Sequence, residues 1–170
     1  MYLWRINTLY NTLKIKKYTL TKDQLKALTD VETTSYEQEL AKDIFFFLFI
    51  FDEIRFSDII LLEKNWIVND DFGKRIEFNQ SKTEGLSQRT RDVWIKDEIQ
   101  GIMDKYPGGS KYIFNFLKDD MAPGQITAYC SSKLSTINKN LKRLSAKIEE
   151  MPSLSTKYAR YSAATYIKKK

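Results

Sequence analysis

At 170 residues, with 42% hydrophobic and 14% aromatic residues, the chain is long enough for one domain with a real core and is unlike a disordered tail. It has no histidine, which removes histidine-based triads and histidine-ligated metals, and its single cysteine, Cys130, removes an internal disulfide. The net charge of +6 is uneven: residues 131–170 hold ten bases against two acids, whereas residues 21–73 hold five against twelve.

Leu3, Ile6, Leu9 or Tyr10, and Leu13 recur at helical spacing, so residues 2–14 are expected to form an amphipathic helix, followed by a basic linker to Tyr18. Thr21 with Gln24 three residues later is a capping box, so a helix through Leu25 and Leu28 should follow. Thr33 to Ser35 break it. Ser35 or Tyr36 through about Phe51 reads as a long helix, apolar on all sides and hence central. Its run Ile44 to Phe51, bounded by Asp43 and Asp52, is far short of the about 20 residues a membrane span needs. No membrane association is expected. The first residues lack the pattern of a signal peptide, and a cytoplasmic setting is the simplest reading. Ser57 is expected to cap a short helix from Asp58 to Glu63.

Turn chemistry at Asn69-Asp70-Asp71-Phe72-Gly73 leads into an alternating segment, Arg75 to Asn79, with Ile76 and Phe78 inward. Val93 and Ile95 mark a second strand, with a polar loop containing Lys82 between the two. Residues 97–106 should be helical and end at Pro107-Gly108-Gly109. The type of segment 112–117 stays open, and 118–128 reads as a loop. Leu134, Ile137, Leu141, Leu144 and Ile148 form one stripe of a helix from about Ser131 to Glu150, with Lys139, Lys142, Arg143 and Lys147 off it. A final helix should be capped by Ser155 or Thr156. The fold class is therefore mainly α with a small antiparallel β-sheet.

Three separated bases suit a phosphodiester: Arg55, the hairpin Lys82, and Arg160 with Lys157 one turn earlier on the same helix face. Guanidinium forks match phosphate oxygens and stay charged at any working pH. Such donors stabilise the charge that grows on phosphorus. Basic blocks of this kind suit a polyanion, through counterion release. On charge alone, solvated lysine-rich helices explain them equally well.

These residues also lie in an ordered set of motifs. Asp43 to Phe49 followed by Arg55-Phe56-Ser57-Asp58, then Arg75 to Phe78 with Ser81-Lys82-Thr83, then Asn138 to Lys142 with Leu154-Ser155-Thr156-Lys157-Tyr158-Ala159-Arg160, resemble the catalytic domain of the tyrosine recombinases, the phage-integrase family. Thr19 to Leu25 is similar to the entry of that domain. The resemblance implies a tyrosine-recombinase-like fold over 19–170, with 1–18 as the end of a core-binding domain plus linker. It implies site-specific DNA recombination or integration by phosphodiester transesterification. Arg55 and Arg160 would hold the phosphate and Lys82 would assist the leaving oxygen. Lys157 stands where many members place a histidine.

The implied partners are double-stranded DNA and further copies of the full-length protein on that DNA, with no cofactor and no metal. Asp52 and Glu53 occupy the place of the family's glycine-containing turn, and Tyr161 that of another histidine. The family's nucleophilic tyrosine would follow Lys170, so the chain is expected to be an incomplete catalytic domain, inactive alone. Two alternatives stand beside this one: a non-catalytic DNA-binding module derived from an integrase, and a helical protein-interaction domain.

Overall fold

The capping box at Thr21 forms as expected. In the computed structural model, which describes residues 18–51, 54–79 and 90–167, Gln24 N–H donates to Thr21 Oγ1 (3.1 Å) and Thr21 N–H donates to Gln24 Oε1 (3.0 Å). Two of the four free N–H groups at that helix end are so satisfied. The expected helix at 2–14, the linker before Tyr18 and the loop holding Lys82 lie outside the described residues.

The chain divides into two compact units: Met1–Glu53 with Ser135–Lys170, and Ile54–Leu134. The first contains α1 (Lys22–Asp30) and α2 (Tyr36–Ile50). The second contains α3 (Phe56–Ile59), a 3-10 turn at Lys64–Trp66, β1 (Ile67–Asp70), β2 (Gly73–Asn79), β3 (Thr90–Trp94) and α4 (Asp97–Lys105). Helix α5 (Pro123–Ser145) passes from the second unit into the first, and α6 (Thr156–Ile167) completes the first. The fold is mainly α, with one three-stranded antiparallel sheet in the order β1-β2-β3.

In the first unit α2 is the central element. Ser35 caps it, accepting from Gln38 N–H, and Leu40, Ala41, Ile44, Phe45, Phe47 and Leu48 are buried. Each buried large side chain contributes about 1.5–3 kcal/mol. Phe46, Phe49 and Ile50 are half-buried, so the helix is central without being closed on every side. The stripe on α5 buries Ile137, Leu141 and Leu144 against the same core, while Leu134 and Ile148 are only partly covered.

The loop after α1 is held by side chains. Lys42 Nζ donates to the carbonyls of Thr29 (3.1 Å) and Val31 (3.0 Å). Lys147 Nζ donates to Glu32 O (3.0 Å) and Gln38 Oε1 (3.3 Å). Lys147 thus ties a loop, rather than simply extending the solvated basic face expected of it.

Several boundaries differ from the sequence expectation. The short helix runs Phe56–Ile59 with Arg55 at its N-cap, and not from a Ser57 cap, because Asp58 Oδ2 accepts Arg55 N–H (3.3 Å). Strand β1 was not expected; it pairs Ile67 with Ile76 and Asp70 with Gly73. Of the expected loop 118–128, residues 118–122 are irregular as expected, while 123–128 are instead the start of α5. Proline suits the first helical position, where no N–H is needed, and Gln125 Oε1 accepts Ala122 N–H (3.0 Å) just before it. The same helix ends at Ser145 rather than Glu150. There the bonding tightens to three-residue steps (Lys147 N–H to Leu144 O, Ile148 N–H to Ser145 O), and Glu150 takes φ 56°.

Segment 112–117 is irregular but buried. Tyr112, Ile113, Phe114, Phe116 and Leu117 pack inward, and the backbone is tied by isolated bridges Glu63–Tyr112 and Pro107–Phe114. Gly108 is required here, since any Cβ would collide with the Tyr112 carbonyl oxygen. Lys64 Nζ donates to the carbonyls of Gly108 (3.2 Å) and Gly109 (2.5 Å). Asp119 gathers the N–H groups of Ser110 (3.1 Å) and Lys111 (3.3 Å) and the Ser110 hydroxyl. The Ser110 hydroxyl is the main reason the Asp119 carboxyl sits below its ordinary value, with the two N–H groups adding to it. Among the described residues no helix is long and apolar enough to cross a membrane.

Candidate functional site

Arg160 and Lys157 stand on α6, whose start is fixed from α5. Asn138 Oδ1 accepts Thr156 N–H (2.9 Å), so the expected cap by Ser155 or Thr156 is supplied by a side chain from another helix. Ser145 Oγ accepts Leu154 N–H (3.3 Å) and fixes the preceding turn. Ala159 and Ala163 are fully buried and let α6 approach α2 closely.

The other side of α6 is strapped by residues 18–20. Leu20 N–H donates to Ser162 Oγ (2.9 Å), Tyr166 Oη donates to Leu20 O (3.0 Å), and the Thr19 and Thr165 hydroxyls meet at 3.2 Å. Tyr18 stacks on Tyr161 (centroids 5.5 Å apart, 23° between planes) and meets Tyr158 edge-on at 5.3 Å. Burial is the main cause that pushes the Tyr158 hydroxyl pKa up. The hydroxyl of Tyr166 therefore holds the strap, and its ring packs against Phe49 at 6.3 Å.

In this frame Lys157 is exposed and Arg160 half-buried. Lys157 lies in the first turn of α6, at the positive end of the helix dipole and with no acid in that turn, and Arg160 follows at the start of the second turn. That placement costs about 0.3–1 kcal/mol per charge in the first turn unless an anion is nearby. Arg160 Nε is buried and has no hydrogen-bond partner among the described residues. A buried donor left unpaired costs about 1–3 kcal/mol, more when charged.

Arg55 belongs to the second unit. Ile54 and Phe56 on either side are buried, which draws the backbone inward and leaves Arg55 half-buried between them. Its backbone N–H is taken by Asp58, itself only 6% exposed. Its guanidinium Nη1 is buried without a hydrogen-bond partner among the described residues. The thiol of Cys130 on α5 is pushed up first by burial and then by the charge of Asp58. Asp52 and Glu53, the acids expected to flank Arg55, lie outside the described residues.

The structure thus brings Lys157 and Arg160 together on one helix and places Arg55 in the other unit. Lys82 lies outside the described residues, between β2 and β3, whose ladder runs from Arg75–Trp94 to Asn79–Thr90. Of the residues that position α6, Asn138 falls in the resembling segment Asn138 to Lys142 but without this role, and Ser145 and Ser162 carry no motif. Their one signal is chemical: Asn and Ser are poor in a helix interior unless the side chain has a task. Elsewhere, a cleft of about 580 Å³ in the second unit is lined by Phe116, Lys118, Met121, Gln125 and Tyr129, with none of Arg55, Lys157 and Arg160 among its described lining residues. No cluster of three or more acids and cysteines able to hold a metal occurs among the described residues.

Comparison of the chain with protein-family models, curated proteins and solved structures finds no match. What is defined is a mainly α fold with a three-stranded antiparallel sheet, carrying two arginines that each have a buried nitrogen without a hydrogen-bond partner among the described residues.

Proposed function

We propose that the chain binds double-stranded DNA through its phosphates, as the phosphate-holding part of a tyrosine-recombinase-type strand-transfer domain. One observation carries the reading. Arg55 and Arg160, singled out by sequence as phosphate ligands, are the two described residues with a buried side-chain nitrogen that lacks a hydrogen-bond partner. Proteins rarely leave such groups unpaired, and phosphates of a docked duplex would supply each with an acceptor. Lys157 adds charge at the dipole end of α6, and Lys82 is the proton donor that the resemblance implies. Further copies of the protein on DNA belong to the same reading.

Binding without cleavage by these 170 residues is the favoured form of it. Tyr166, six residues past Arg160, spends its hydroxyl on Leu20 O, and Tyr161 is stacked on Tyr18.

Fluorescence anisotropy with a duplex, read across salt concentration, tests the proposal. Three phosphate contacts predict a log–log slope of about −3, and replacing Arg55 or Arg160 by Ala should remove about one unit each. Absence of binding at low salt, or binding indifferent to salt, would refute it.

A further inference from the structure

The outer face of the sheet carries chemistry that phosphate binding does not use. Register sets Arg75 opposite Trp94 and Val68, and Glu77 opposite Asp92, so these side chains share one face, while Ile76 and Phe78 are buried on the other. Trp94 lies across Gly73, where a Cβ would stand 3.4 Å from its ring; Gly73 also has φ +126°, which other residues avoid. The Arg75 guanidinium sits 5.6 Å from the Trp94 ring centre and is gripped by Asp70 and by Glu77 (2.7 Å). Asp70 Oδ1 accepts Phe72 N–H (3.0 Å), which ties the turn to the same arginine.

Trp94, 46% exposed, is thus held between Gly73 and Arg75, and the backbone of Phe72, whose side chain is 86% exposed, is tied in the adjoining turn. Aromatics fixed in this way are the usual anchors of protein interfaces, because little side-chain freedom is lost on binding.

Charge decides the kind of partner. Asp70, Glu77 and Asp92 share this face with Trp94, Asp71 lies in the turn beside Phe72, and Arg75 is the one base among the described side chains of the face. Such a face repels phosphate, so neither nucleic acid nor an anionic lipid surface suits it, and it attracts a lysine-bearing polypeptide. The chain itself has one. Residues 1–17 contain Arg5, Lys14, Lys16 and Lys17 and no acid, with Leu3, Ile6, Leu9 and Leu13 at helical spacing. We infer that the outer sheet face docks residues 1–17 of a second copy of this chain, apolar side chains on Phe72 and Trp94 and lysines against Asp71 and Asp92. The inference does not rest on DNA binding, and either can fail without the other.

Sedimentation velocity of the full chain at low ionic strength, with no DNA present, tests it. The native chain should associate as its concentration rises, and salt should suppress this. Two charge-reversed forms separate the halves of the contact. One carries Asp71→Lys with Asp92→Lys; the other carries Lys14→Glu, Lys16→Glu and Lys17→Glu and leaves the sheet untouched. Each alone should associate at least about tenfold more weakly than native. Mixing them should restore association, because each then offers the segment that the other's face attracts. A native chain that stays monomeric, a segment-reversed form that associates like native, or a mixture that fails to restore association overturns the inference.

Discussion

The two units are held together by different means. Residues 18–51 with 135–167 form a helical body whose core is aliphatic and aromatic, centred on Phe45, Phe47 and Leu48 of α2. Residues 54–134 also bury apolar groups, but their long connections are set by directional bonds: Lys64 to two glycine carbonyls, Asp119 to the Ser110–Lys111 backbone, Asp70 and Glu77 to Arg75. Buried area dominates the first unit, where Lys42 and Lys147 also tie the loop after α1, whereas the loops of the second unit rest mainly on particular atoms. Each unit has one arginine nitrogen that is buried without a hydrogen-bond partner among the described residues.

This contrast can be broken by mutation. The largest loss should follow Phe47→Ala, which empties a fully buried site stacked on Phe51 at 4.3 Å; about 3–5 kcal/mol is expected in urea unfolding. Gly108→Ala should cost less, about 1–3 kcal/mol, because the backbone near Tyr112 must shift to admit a methyl group. If Gly108→Ala proved the more damaging by the same measurement, the assignment of area to one unit and atoms to the other would be wrong. Asn138→Ala removes the cap of α6 and should cost about 1 kcal/mol, with Asn138→Asp retaining most of it.

The smallest effect is one of pH. Asp119 has its folded pKa below its unfolded value, so its contribution is present above about pH 4 and is lost as pH falls through the folded value. Asp119→Asn should therefore lower the melting temperature at neutral pH and leave the strongly acidic range nearly unchanged.

The same contrast explains what was legible in the sequence. Helices α1 and α2 followed from a capping box and from apolar spacing, signals that are local. Strand β1 was missed because Ile67-Val68 is too short to show alternation; its partner Arg75-Ile76 lies across the turn. The start of α5 was missed because Pro123-Gly124 reads as a loop when proline is not recognised at a first helical position. Segment 112–117 had no period to read, since its bonds go to Leu62 and Tyr106, far along the chain.

At the candidate site, composition and order singled out Arg55, Lys157 and Arg160. They did not show that Tyr18 would stack on Tyr161, or that Asn138 would set the start of α6. Those are contacts between distant segments, and no local rule encodes them.

The central proposal is that the buried nitrogens of Arg55 and Arg160 each take a phosphate of duplex DNA as acceptor. Thermal unfolding of the native chain and of the Arg55→Met, Arg160→Met double variant, with and without duplex DNA, tests this most directly. The account predicts that the variant is as stable as native or more so without DNA, since a buried, unpartnered nitrogen is removed at each position. It also predicts that duplex DNA raises the melting temperature of the native chain, as any ligand of the folded state must, and raises that of the variant much less. A variant that is markedly less stable without DNA, and that gains as much from DNA as the native chain does, would contradict it.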